Sequence, residues 1–231
     1  MKKNVNEFEK KYPIKILTPK FKRHKIEKHR LKKVIIILFR WLPKKNKINK
    51  NVKDIKIKKK LKIGVVGVRH EINIGNNLIK YAISKILNEY GYIPYIIGTC
   101  YKNLSIDFLL RKTNLVVIKN NFSQEIKEND YDILMVNSDQ TWRRFDKHFL
   151  DYGFLRFAKN WNKTKFVYAA SLGFDYWDFK PQEDMIIRDL LKDFTGISVR
   201  EKGSIRLIQR HLGITPEFVL DPTLFFFYSQ K

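Results

Sequence analysis

One cysteine, Cys100, in 231 residues excludes a disulfide framework and any multi-cysteine zinc or iron–sulfur site. Histidine is nearly as scarce: His24, His29, His70, His148 and His211 stand apart, and none falls at a metal-ligand spacing such as HExxH. No apolar run approaches the roughly 20 residues a membrane-spanning helix takes. Carboxylates are few, 23 Asp+Glu against 47 Lys+Arg, for a formal net charge of +24. What is present is apolar substance. A hydrophobic share of 44 %, with 17 Phe and 11 Tyr, supplies a core and excludes global disorder. The length holds one domain or one and a half, at roughly 100–200 residues each.

The charge is not spread evenly. Residues 1–60 hold 23 Lys+Arg and 4 Asp+Glu, a net of +19, which leaves +5 for residues 61–231. The chain therefore reads as a basic, weakly structured arm followed by an ordinary globular domain over 61–231. Within the arm only residues 31–42 (LKKVIIILFRWL) form an apolar segment, flanked by lysines and closed by Trp41 before Pro43. The cationic stretches on both sides and the lack of a small-residue cleavage site argue against a signal peptide. A short apolar segment with Trp at its edge suits the interface of an anionic membrane, where each nearby Lys or Arg contributes on the order of 1 kcal/mol. A solvated basic extension is the other reading. Poor Arg and aromatic content and the lack of a readout motif weigh against nucleic acid as a partner.

From residue 61 strands and helices alternate. Residues 61–68 (LKIGVVGV) are β-branched and apolar, as a strand buried on both faces requires. Residues 75–90 carry a helical stripe that stops at Gly91. The segments 92–98, 115–118, 130–138, 165–171, 195–199 and 217–220 read as further strands, and 181–194 and 202–212 as helices, the first opened by Pro181 and the second closed by Gly213. This succession predicts a doubly wound α/β domain with a mostly parallel sheet.

In such sheets ligands bind beyond the strands' C-terminal ends, so the loops there hold the candidate residues. After the first strand, Asn73, Gly75 and Asn76 form either a backbone cradle for an anion or simply a tight strand-to-helix turn. After the 130–138 strand, Ser138, Asp139, Gln140 and Trp142 bring a hydroxyl, a carboxylate, an amide and an indole together. That set suits sugar recognition, with an aromatic face for the ring; a helix cap at Ser138 or Asp139 is the competing reading. The run from Ala169 to Gly173, including Ser171, is small enough for close approach. Arg200 and Glu201 place a guanidinium at a strand end, for a phosphate or carboxylate ligand or for a structural pair with each other.

In order and spacing, NxGN, YDILMVNSDQTW, FLRFAK, KFVYAASLG, ISVREKGSIRLIQRHLG and VLDPTL resemble the polysaccharide pyruvyl transferase family over about residues 61–225. The resemblance implies a Rossmann-like domain that forms the first half of a two-domain, glycosyltransferase-like fold. It implies transfer of pyruvate from phosphoenolpyruvate, as donor substrate with no further cofactor, onto two sugar hydroxyls as a ketal in cell-surface polysaccharide synthesis. The acceptor would be a sugar or a lipid-linked polysaccharide precursor. Asp139 and Arg200 are the catalytic candidates; Asn73, Gly75, Asn76, Ser138, Gln140, Trp142, Ser171 and Glu201 are the substrate-binding ones. Asn76 stands where the family carries an acid or serine, and Asn137 where it carries Gly before Ser138.

Forming a ketal from an enol phosphate needs cations for the donor, an acid for the enol carbon and a base for the attacking hydroxyl. Arg200 supplies a cation and Asp139 orients or deprotonates a hydroxyl. The family's second-domain Arg and His have no counterpart here, and the apolar stretch 224–228 (LFFFY) stands near the last residue. The expectation is accordingly a truncated, catalytically incomplete protein, its second domain lost or separately encoded. The remaining expectations are a cytoplasmic location, peripheral on the inner face of the membrane, and two alternatives: a nucleotide-sugar glycosyltransferase-like enzyme, or a non-catalytic, membrane-docked binding protein.

Overall fold

The computed structural model describes residues 60–67, 73–99, 113–119, 121–145 and 147–224. The basic arm with its 31–42 segment, His24, His29, Val68, His70, Cys100 and the aromatic residues 225–228 lie outside the described residues, and so do the expectations placed on them.

Seven strands form one sheet: β1 (Lys62–Val66), β2 (Ile93–Thr99), β3 (Asn114–Ile118), β4 (Ile133–Val136), β5 (Thr164–Ala170), β6 (Phe194–Val199) and β7 (Glu217–Phe218). Every pairing is parallel and the order is β3-β2-β1-β4-β5-β6-β7. The order reverses between β1 and β4, which opens a switch point at their C-terminal ends. The helices are α1 (Ile74–Glu89), α2 (Phe122–Glu125), α3 (Phe149–Phe154), α4 (Pro181–Leu191) and α5 (Lys202–Leu212).

Two cores divide the side chains by strand alternation. Ile133 and Met135 of β4 point into one core with Ile63, Val65, Phe166, Val219 and the α1 residues Ile83, Ile86 and Leu87. Leu134 and Val136 point into the other, with Val66, Val167, Phe122, Phe149, Ile187, Leu190, Ile208 and Leu212 from the remaining helices. Helices therefore cover both faces, which is why β1 and β4 are continuous apolar runs. The expected doubly wound, Rossmann-like α/β fold is what the chain adopts.

The helix ends follow their local chemistry. The Asn73 side chain accepts a hydrogen bond from Asn76 N at 3.3 Å and caps α1. Pro181 occupies the first turn of α4, and Gly213 ends α5 in the left-handed region at φ 70°. The short α2 and α3 are additions to the sequence-based expectation. All six residues of α3 are buried, so its sequence, FLDYGF, carries no polar face to mark a helix.

Candidate functional site

The site is assembled at the C-terminal ends of β4, β5 and β6. Asn137, one residue past β4, donates its N–H to Val66 O at 2.8 Å and so stands at the switch point. It is buried, and its side-chain Oδ1 has no hydrogen-bond partner among the described residues. Asp139 then adopts φ 110°, a conformation that costs a residue with a Cβ on the order of 1–3 kcal/mol. The strain is held by stitching to β5. Asp139 bridges Ala170, Ser171 N donates to Asp139 O at 2.8 Å, and Trp142 N donates to Ser171 O at 3.2 Å. The helix-cap reading of Ser138 and Asp139 therefore gives way: the segment turns and pairs with β5 instead of opening a helix.

A second irregularity brings β6 into place. Ala169 has φ 55°, and the β5–β6 register shifts between Val167 and Ala170. Ser198 repairs the break: its Oγ accepts from Ala169 N at 3.0 Å and donates to Val167 O at 3.1 Å. Past the shift, Arg200 N donates to Ala170 O at 3.1 Å, which sets the guanidinium beside Asp139.

Three carboxylates surround Arg200. Nη1 donates to Asp221 Oδ2 at 2.7 Å, Nε donates to Glu201 Oε1 at 3.0 Å, and Nη2 lies 3.6 Å from Asp139 Oδ1. Asp221 is itself anchored, its Oδ1 accepting from Thr223 N at 3.0 Å and from Thr223 Oγ1 at 2.6 Å. Ser138 Oγ lies 3.0 Å from Ala169 O and 3.1 Å from Asp221 Oδ2, one hydroxyl proton serving both. Burial pushes the Asp139 carboxyl above its ordinary range. The N–H of Gln140, Arg200 and the buried Lys80 of α1 pull the other way without cancelling it, and Asp221 adds to the rise. For Arg200, burial disfavours the charge, yet the hydrogen bonds to Asp221 and Glu201 outweigh it and raise its pKa. The result is a carboxyl suited to proton exchange beside a permanent cation whose Nη2 edge is the least committed.

The other candidates take varied places. Asn73, Gly75 and Asn76 form the first turn of α1 and, among the described residues, share no hydrogen bond or ion pair with Asp139 or Arg200. Gln140 Oε1 accepts from Arg143 Nη1 at 3.0 Å. Ser171 is buried, its Oγ accepting from Gly173 N at 3.0 Å. Trp142 is 1 % exposed, stacked on Phe154 with centroids 5.1 Å apart, and its indole N–H donates to Gly153 O at 2.8 Å. Its ring is thus a core anchor for the loop, and the expected role as an aromatic face toward a sugar is corrected. Asp221 and Lys80 belong to the cluster but were not singled out by the sequence. The turn pattern Asp-Pro-Thr after a strand signals the first, whereas Lys80 is a lone lysine on an apolar helix face.

Among the described residues no group of three or more His, Cys, Asp or Glu side chains is arranged to hold a metal. Compared with known proteins, residues 73–230 match the family model for polysaccharide pyruvyl transferase. The chain belongs to the polysaccharide pyruvyl transferase family. No curated protein and no solved structure matches it. The region that matches the pyruvyl transferase family contains the whole Ser138–Asp139–Arg200–Asp221 cluster. It also contains Asn137 with its buried amide oxygen.

Proposed function

We propose that this chain transfers the pyruvyl group of phosphoenolpyruvate to two hydroxyls of a sugar, at the Asp139–Arg200 cluster. The observation that carries the reading is a carboxyl with a raised pKa 3.6 Å from a fixed guanidinium, within a chain of this family. One sugar hydroxyl adds to C2 of the enol while C3 takes a proton. The second hydroxyl then displaces phosphate, whose departure carries away the C2–O electron pair, and its proton leaves with the phosphate. Asp139 accepts or returns the hydroxyl proton, and Arg200 attracts the donor's anionic groups. The reading places the protein on the cytoplasmic face of a membrane, with residues 1–60 against anionic lipid and a facing α/β body, in this polypeptide or a partner, supplying further cations to the donor.

The test is incubation of the protein with phosphoenolpyruvate and a panel of oligosaccharides, following released phosphate together with the ketal methyl signal by NMR. Both should appear in step, and Asp139→Asn should slow them by about 100-fold or more. Turnover of UDP- or GDP-sugars without phosphoenolpyruvate would overturn the reading in favour of glycosyl transfer.

A further inference from the structure

Two lysines are buried among the described residues, Lys80 and Lys165. Lys80 belongs to the Asp139 cluster, whereas Lys165 is the second residue of β5 and stands at the opposite end of the sheet. At about 3.3 Å per residue, β5 puts roughly 20 Å between its two ends. A buried ammonium needs partners for three N–H groups. Lys165 Nζ has two among the described residues: it donates to Lys159 O at 3.2 Å and lies 3.5 Å from Asp193 Oδ2, a half-exposed carboxylate. Lys165 also lines a cavity of about 430 Å³ at the N-terminal ends of β5 and β6, a size within the range of small-molecule sites. The loop over residues 159–163 forms the other wall. Backbone bonds fix that loop: Trp161 N donates to Ala158 O at 3.1 Å, Lys163 N to Trp161 O at 2.9 Å and Asn162 N to Glu128 Oε1 at 2.9 Å. Its side chains are left over. Among the described residues, the Lys163 ammonium, the amides of Asn160 and Asn162 and the Trp161 indole N–H have no hydrogen-bond or ion-pair partner. Lys159 is tied to Asp189 at 2.6 Å. With that pair set aside, Lys163 and Lys165 face the one carboxylate of the lining, Asp193, and the cavity keeps a net positive charge.

We propose that this cavity is a second ligand site, separate from the catalytic cluster, and that it binds a phosphate monoester through Lys163, Lys165 and the two asparagine amides. The lining is rich in donors and poor in acceptors: two ammoniums, two amides and an indole N–H stand against one carboxylate. A carboxylate ligand, with two oxygens and one charge, would leave most of those donors idle. A phosphate monoester brings three terminal oxygens and up to two charges, and lysine binds phosphate as a point charge. One of its oxygens supplies the third partner for the Lys165 ammonium. The cavity is larger than a bare phosphate, which leaves room for the organic part of the ester.

The test is titration of the full chain with glycerol phosphate, read from the Trp161 indole N–H signal in NMR spectra, which the Trp161→Phe variant identifies. The signal should shift and saturate, whereas chloride at matched ionic strength should leave it in place. Glycerol phosphate should bind more tightly than inorganic phosphate, since the ester fills more of the cavity. Lys163→Gln should weaken binding about tenfold, the loss expected for one hydrogen bond to a charged group, and Lys163→Arg should retain it. The Lys163 ammonium holds nothing else among the described residues, so both variants keep the fold; a thermal melt without ligand confirms it. No shift, an equal shift with chloride, equal affinity for inorganic phosphate, or an unchanged Lys163→Gln variant would each overturn the site. A shift abolished by Arg200→Gln would also overturn it, by placing the ligand at the catalytic cluster. None of these readouts involves turnover, so the second site and the transferase reading stand or fall separately.

Discussion

Arg200 is held unequally by its three carboxylates, at 2.7 Å from Asp221, 3.0 Å from Glu201 and 3.6 Å from Asp139. The short contact is the structural one, because Asp221 also receives Thr223 and Ser138 and so joins three segments. Asp221→Asn keeps the shape but removes the charge. It is expected to cost about 2 kcal/mol in urea unfolding, in the range for a hydrogen bond to a charged group, and to leave Arg200 less firmly oriented. A loss below a few tenths would show that Glu201 alone holds the guanidinium. Asp139 carries a pH signature. Its carboxyl titrates above the ordinary 3.8, so the native state binds its proton more tightly than the unfolded chain. That stabilisation is present below the unfolded pKa and is lost as pH rises through the folded one. Asp139→Asn should abolish this fall in stability, measured as melting temperature against pH. Turnover in the native enzyme should rise with pH over the same window, as the base ionises. Ser138, Asp139 and Arg200 were legible because they sit in dense polar runs at strand ends. Lys80 was not, since the chain alone does not say that its helix face meets the mouth of the sheet.

Among the elements, α3 is the one whose local sequence says least and whose packing says most. Gly153 lies where a Cβ would meet Thr141 O at 2.5 Å, and its carbonyl holds the Trp142 indole. Gly153→Ala must push the 141–142 turn away from α3, and overpacking of this kind costs about 1–3 kcal/mol. Urea denaturation reads that loss, and a weakened near-ultraviolet circular dichroism signal would report loosening around Trp142. A neutral result would mean that the turn yields freely, contrary to its burial. The regular elements were far more legible. The expected helix at 202–212 has the bounds of α5, and the other two differ from α1 and α4 by a few terminal residues. Three strands, β1, β4 and β7, are shorter than their apolar runs. The 130–138 run narrows to Ile133–Val136, because its polar end leaves the ladder to build the site. The 217–220 run narrows to Glu217–Phe218, leaving Val219 and Leu220 to lead into Asp221. Strand positions follow from alternation and propensity, but strand ends depend on partners distant in sequence.

At the scale of the whole molecule, the parallel order was legible as a class, while the β5–β6 register shift that aligns Arg200 was not. It arises from Ala169 at positive φ, and alanine gives no local signal for that conformation. Charge is the other property of the whole chain. Its +24 is concentrated as +19 in residues 1–60, against +5 in residues 61–231. If the arm docks the enzyme on anionic lipid, the two parts should behave differently toward a surface. The full chain should sediment with phosphatidylserine-containing vesicles at low salt and come off as salt rises. The cause is the Debye length, which shrinks from about 10 Å at 0.1 M to about 3 Å at 1 M. Removing residues 1–60 should abolish the binding, since each lysine or arginine near the surface contributes on the order of 1 kcal/mol. Equal sedimentation without those residues would instead place the attraction on the folded part, where Lys202, Arg206 and Arg210 stand exposed at successive helical turns of α5. That outcome would refer membrane contact to the face beside the Arg200 cluster, and the arm would be left as a solvated extension.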